Sequence, residues 1–222
     1  MTTVGLIGSG RIGGTVARLA VAAGHQVLLS NSRGPDTLTG LAAGLGPLAR
    51  ATTGQEAAAG GELVVVAIPF GAVRSVPPGP LAGKVVIDTC NYYPQRDGQI
   101  PELDSGALTS SELTQRHLPE SAVVKAFNNI NYRHLASLAR PSGAADRSYL
   151  PIEGDGAAAN AAVTAFLDSI GYGTVDAGPL AESWRQEPGT PVYGAPYGSF
   201  QDPKGSPASA DAIRQALAAA ER

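Results

Sequence analysis

Gly8-Ser9-Gly10-Arg11-Ile12-Gly13 is the segment whose residue types and spacing bear most directly on chemistry. It fits G-x-G-x-x-G, in which the first glycine permits a tight turn off a strand, the second lets backbone approach a pyrophosphate, and the third lets a helix pack closely on a sheet. The free N–H groups that open the following helix then face the phosphates. The pattern carries weight only where a strand precedes it and a helix follows. A glycine-rich turn without a ligand is the plainer reading. Gly8, Ser9, Gly10, Arg11, Ile12 and Gly13 are thus the first candidate cofactor-binding residues. Arg11 has two readings, a phosphate contact or an exposed helix arginine.

A second segment bears on which dinucleotide would bind. Binders of NAD carry a carboxylate at the end of the second strand, which accepts from the ribose 2′-hydroxyl. Here that position reads Ser30-Asn31-Ser32-Arg33-Gly34-Pro35, and no carboxylate occurs until Asp36. Asn31 and Ser32 can donate hydrogen bonds to the extra phosphate of NADP, and Arg33 can offer a charge-assisted contact. The alternative is a solvated loop that caps the next helix. The expected cofactor is NADP(H).

The elements that must position these residues are readable around them. Thr3 to Ile7 is a short apolar run, and Ile12, Val16, Leu19, Ala20 and Ala23 recur at helical spacing. Gly24 stops that helix, and Gln26 to Ser30 reads as the next strand. This is a βαβ unit in roughly thirty residues. Asp36 to Ala43 and Gln55 to Ala59 read as helices, and Leu63 to Ile68 as a strand buried on both faces. Lys84 to Asp88 and Ala122 to Ala126 read as strands, with a helix over Ser111 to His117 between them. Alternation of this kind implies an α/β fold, a doubly wound parallel sheet of Rossmann type. Asn91 to Gly106 reads as a polar loop. From Tyr149 a smaller unit is expected: a strand to Glu153, a helix over Ala157 to Ile170, a strand over Gly173 to Asp176 and a helix over Ser209 to Glu221. The expected organisation is an NADP-binding domain over residues 1–147 and a small C-terminal α/β cap over 148–222.

Composition excludes several classes. The net charge of −3 offers no nucleic-acid footprint. Three scattered histidines and the lone Cys90 build no zinc or iron–sulfur spacing. No segment reaches the roughly 18 uninterrupted apolar residues of a membrane helix, and the first residues lack a signal-peptide pattern, so a cytoplasmic protein without membrane contact is expected. The strand ends gather Ile68-Pro69-Phe70, Cys90-Asn91-Tyr92 and Phe127-Asn128-Asn129, an apolar surface edged with amides. Hydride transfer between rings needs proximity and orientation there rather than an acid–base pair. Cys90 reads as a small buried hydrophobe, His117 and His134 as surface residues, and Lys125 as a phosphate contact or a snorkelling side chain.

Taken together, Gly8–Gly13, Asn31-Ser32-Arg33, Val66-Ala67-Ile68-Pro69, Asp88-Thr89-Cys90-Asn91-Tyr92-Tyr93, Val123–Asn128 and Asp176-Ala177-Gly178-Pro179-Leu180 resemble the F420-dependent NADP oxidoreductase family, in its bacterial dinucleotide-binding branch. The resemblance spans nearly the whole chain. It implies NADP along the carboxyl edge of the sheet, contacted also by Ala67, Ile68, Pro69 and Asn91, with the deazaflavin ring of coenzyme F420 over the nicotinamide. It also implies catalytic positions at Asn128, where some deazaflavin-using relatives carry a histidine, and at Thr190, a hydroxyl position near the second substrate.

Three functions follow as expectations. The first is hydride transfer between NADP(H) and a second substrate, coenzyme F420 before others. The second is reduction of an imine or carbonyl of a small metabolite, which calls for a proton donor near the reduced atom. Tyr92, Tyr93 and Tyr193 are the hydroxyls available, with no supporting partner evident in the sequence. The third is a non-catalytic NADPH-binding or sensor protein. A homodimer through the apolar helix Ala208–Ala220 is one arrangement; the other is that this helix covers its own core.

Overall fold

The structure is a computed structural model covering residues 1–222. β1 (Thr3–Ile7), α1 (Arg11–Ala22) and β2 (Gln26–Ser30) form the first βαβ unit. They are followed by α2 (Thr39–Leu45), β3 (Ala49–Ala51), α3 (Gly54–Gly60), β4 (Leu63–Val66) and β5 (Val85–Asp88). α4 (Pro94–Asp97), α5 (Pro101–Asp104), α6 (Ser110–His117), β6 (Ala122–Lys125) and α7 (Tyr132–Ser137) come next. The chain closes with β7 (Tyr149–Gly154), α8 (Ala157–Ser169), β8 (Gly173–Asp176) and α9 (Ala210–Ala218).

All eight strands join one sheet in the order β3-β2-β1-β4-β5-β6-β7-β8. The first six are parallel in the Rossmann order, and the strand order reverses between β1 and β4. A crevice opens at such a switch point, outside the carboxyl ends of the strands. β7 then pairs antiparallel with β6, setting Lys125 opposite Glu153, and β8 runs parallel to β7. Residues 148–222 therefore extend the same sheet through a continuous ladder.

Period-two alternation divides the core between the two faces. Leu6, Leu29, Val65, Ile87 and Val124 point to one face, where they meet α1, α8 and α9 through Val16, Val163, Leu167, Ile213 and Leu217. Ile7, Val64, Val66, Val86 and Val123 point to the other, joined there by Phe70, Val73 and Leu118. Gly5 has no room for a side chain, since a Cβ would lie 2.2 Å from the Ala57 carbonyl oxygen. That contact seats α3 directly on β1.

Several expectations need correcting. The helix expected over Asp36 to Ala43 is a 3₁₀ turn, Pro35–Leu38, followed by α2. The three-residue edge strand β3 was not foreseen, and neither was α7. The polar loop after Asn91 holds two single-turn helices, α4 and α5, each opened by a proline at its first position.

Candidate active site

The glycine turn is built between two strand ends. Gly8 has φ +101° and donates its N–H to Ser30 O at 3.0 Å; Ser9 Oγ donates to the same oxygen at 3.0 Å. A Cβ on Gly8 would lie 2.3 Å from Ala67 O, and one on Gly13 would lie 2.0 Å from Gly8 O. The turn is thus clamped against the end of β4, and both glycines are required by close approach of backbone. Gly10 differs. No atom lies within 4 Å of where its Cβ would be.

That open space sits at the start of α1, whose N-cap is Gly10, with no side-chain cap and no acidic residue in the first turn. α3 and α6, in contrast, close their N-termini with capping boxes, Thr53 with Glu56 and Thr109 with Glu112. The amides of Arg11, Ile12 and Gly13 lack a side-chain acceptor, and a phosphate group is the acceptor such a helix start favours. The residues present fit a dinucleotide's pyrophosphate.

At the end of β2, Asn31 Oδ1 accepts from Arg33 N at 2.9 Å, and its Nδ2 donates to Thr37 Oγ1 at 2.9 Å. This turn leaves Ser32 and Arg33 exposed, and Arg33 makes no ion pair. Arg11 is exposed, with its guanidinium 5.2 Å from the centre of the Tyr132 ring.

Ala67 and Ile68 are half-buried and Pro69 is exposed at the end of β4. The ends of β5 and β6 are joined by paired amides. Asn91 Nδ2 donates to Asn128 O at 2.8 Å, while Asn128 Nδ2 donates to Asn91 Oδ1 at 3.1 Å and to Gln186 O at 2.8 Å. Asn128 Oδ1 is buried without a hydrogen-bond partner. The residue before it, Phe127, is the only non-glycine with positive φ, at 64°. Strained backbone of this kind clusters at functional sites, because the surrounding structure has to hold it there.

Thr190 makes no hydrogen bond to Asn128. Its Oγ1 donates to Glu187 O at 2.8 Å, and its carbonyl accepts from Tyr193 N at 3.0 Å. That turn carries Tyr193 to Tyr93, and the two hydroxyls lie 2.6 Å apart. The tyrosines therefore do have partners, which their sequence separation of 100 residues conceals. Tyr92 is bonded elsewhere, to Gly98 O and Asp104 Oδ1.

Other side chains depart from expectation. Lys125 touches neither solvent nor the glycine turn. It is fully buried 3.5 Å from Asp88 and donates to Cys90 O and Ser110 Oγ. Asp88 also accepts from Cys90 N, Ser111 Oγ and Thr114 Oγ1, so the charge pair is enclosed in hydrogen bonds. His134 is buried, with Nε2 donating to Asp202 O, because segment 198–206 folds over α7; His117 is half-buried against Val76 O. Cys90 is buried as expected, and desolvation, with Asp88 beside it, pushes its thiol well above the usual range.

Two cavities adjoin these strand ends. One, of about 340 Å³, is lined by Tyr93, Asn129, Ile130, Asn131, Tyr193 and Phe200. The other, of about 700 Å³, begins at Phe70 just past Pro69 and carries both Arg74 and Arg116 and the carboxylates Asp97 and Glu102 in its lining. The smaller one is lined by Asn129, the residue after Asn128, and by Tyr93, two residues after Asn91.

A family model described as NADP oxidoreductase, coenzyme F420-dependent, matches residues 3–92. A solved structure of the hypothetical protein SMa0349 from Sinorhizobium meliloti is 30% identical, with a TM-score of 0.75 over 86% of this chain and 93% of that one. The chain belongs to this NADP oxidoreductase family. A protein from Arthrobacter sp. FB24, assigned provisionally as an F420-dependent NADP reductase, is 27% identical, with a TM-score of 0.68 over 82% of this chain and 87% of that one. A reductive aminase from Aspergillus terreus, solved with NADPH, is 17% identical, with a TM-score of 0.58 over 82% of this chain and 56% of that one, and shows the shared fold. No curated protein sequence matches the chain. No helix is long and apolar enough to cross a membrane.

Proposed function

We propose that this oxidoreductase binds NADP(H) at the switch point and transfers a hydride between it and a second substrate held at the ends of β5 and β6, with coenzyme F420 as that substrate. The observation that carries the cofactor half is the open space over Gly10 at an uncapped helix start. The backbone of Gly8–Gly13, with Ser9, would hold the pyrophosphate. Asn31, Ser32 and the unpaired Arg33 would hold the 2′-phosphate. Ala67, Ile68, Pro69 and Asn91 would border the nicotinamide. When bound, the cofactor supplies the hydride. The protein orients it and keeps water out.

Asn128 suits an orienting role. Its Nδ2 is committed to Asn91 and Gln186, which fixes the ends of β5 and β6 against each other, and its Oδ1 is buried beside that pair without a partner. Thr190 acts one step away, by holding the turn that presents Tyr193. Arg74 and Arg116 pair with no carboxylate, and they suit a substrate with an acidic extension such as coenzyme F420. The test is to mix protein, NADPH and oxidised coenzyme F420 and follow the deazaflavin's visible absorbance. Rapid bleaching is expected. Bound NADPH with no bleaching would transfer the hydride to another acceptor, and bound NADPH with no turnover on any acceptor would leave a sensor.

A further inference from the structure

We infer that the Tyr93–Tyr193 hydroxyl pair is the proton donor of this site, and that the acceptors it serves are flat aldehydes, ketones and imines. This rests on the NADP(H) half of the proposed function and is independent of coenzyme F420.

The two phenol oxygens are 2.6 Å apart, so one proton lies between them and the other remains free. Burial, then the contact with Tyr93, raises the Tyr193 hydroxyl above the usual tyrosine range. Either hydroxyl can donate to the other; with Tyr193 donating to the Tyr93 oxygen, the Tyr93 proton is left to face the cavity that both residues line. The Arg96 guanidinium lies 4.9 Å from the centre of the Tyr93 ring, and its Nη2 donates to Asn91 O at 2.7 Å. Asp97 fixes this cation through contacts of 2.8 Å, and Arg96 in turn holds the Asp97 carboxyl below its ordinary value. Arg96 thus packs on the Tyr93 ring and ties it to the end of β5.

Position and shape select the acceptor. The cavity lies at the ends of β5 and β6, on the side of the switch point away from Arg33. Phe200, stacked on His134, forms a flat apolar wall. In the reaction the carbonyl or imine carbon takes the hydride supplied by NADPH, and the C=O or C=N π bond opens. The oxygen or nitrogen takes the Tyr93 proton, and solvent returns a proton to the phenolate. One NADPH and one proton are consumed for each alcohol or amine formed.

The duller role for the pair is a pin between the Tyr93 loop and the Thr190–Tyr193 turn. Three measurements on wild type, Tyr93→Phe and Tyr193→Phe separate the two. They are NADPH titration by fluorescence, NADPH oxidation with benzaldehyde or 3,4-dihydroisoquinoline, and saturation-transfer NMR of benzaldehyde on nucleotide-free protein. Wild type is expected to oxidise NADPH with at least one probe. Tyr93→Phe should lower kcat about 100-fold, the size of a lost general acid, with NADPH affinity and benzaldehyde contact retained. Tyr193→Phe should lower kcat about tenfold on the same scale. A Tyr93→Phe variant within about threefold of wild type would overturn the proposal, against that expected loss. So would a wild type that binds NADPH and turns over neither probe. Failure of wild type to bind NADPH would instead remove the proposed function itself.

Discussion

In the proposed function Arg33 and Gly10 divide cofactor recognition into charge and shape, and each can be tested alone. Arg33 is exposed and unpaired beside the Asn31 turn, so its charge is available to a phosphate. Losing a charge-assisted contact costs about 1.5–3 kcal/mol, or roughly ten- to a hundredfold in affinity. Arg33→Ala should weaken NADPH by that factor and NADH by less than about twofold, because NADH has no group for it to meet. Equal losses for the two nucleotides in a fluorescence titration would reject this role. Gly10 faces open space with φ −77°, so Gly10→Val meets no protein atom and should fold with stability within about 0.5 kcal/mol of wild type. It should nevertheless lose both nucleotides; a folded variant that still binds either one would put the pyrophosphate elsewhere. Both are candidates that local sequence names, Gly10 through the G-x-G-x-x-G spacing and Arg33 through the lack of a carboxylate after β2. Tyr93 and Tyr193 are named there only as available hydroxyls; their pairing was not legible, because it exists only once the β5 end and the segment before Gly194 have been folded together.

At the scale of elements, legibility followed how much of an element's stability is local. β1, α1, β2 and β4 announce themselves through apolar runs and glycine punctuation. β3, three residues at the sheet edge, has too few residues to show a period, and α4 and α5 are single turns started by Pro94 and Pro101. The end of α3 was equally hidden. Its last carbonyls are satisfied by Lys84 at the foot of β5, whose Nζ donates to Ala58 O, Ala59 O and Gly61 O at 2.6–2.8 Å. A cation at a helix C-terminus both bonds the free carbonyls and meets the negative end of the helix dipole. Lys84→Met keeps the stem and removes those bonds. It should lower stability by about 1–2 kcal/mol, seen as a lower urea midpoint at unchanged slope. An unchanged midpoint would mean water caps α3 equally well.

On the scale of the whole molecule, the antiparallel seam between β6 and β7 joins the six parallel strands to residues 148–222, and it buries charge. Lys125 lies between Asp88 on one side and Glu153 on the other. Glu153 is fully buried, with Gln186 Nε2 donating to its Oε2 and its Oε1 unpartnered. Burial raises its carboxyl to about 8; Gln186 and Lys125 oppose the shift, while Asp176 and Glu182 add to it. The unfolded chain would release this proton near 4.5, so between 4.5 and 8 the folded state holds a proton that the unfolded state lacks. Stability from this group is therefore complete below 4.5 and is lost as pH rises through 8. Glu153→Gln keeps the shape and an acceptor for Gln186 and removes the need to ionise. Its melting temperature should match wild type below pH 4.5, rise above it through neutrality and hold a constant advantage beyond pH 8. If instead wild type is the more stable protein at alkaline pH, the attraction of Lys125 outweighs desolvation, and Glu153 is an ionised partner in a three-charge seam.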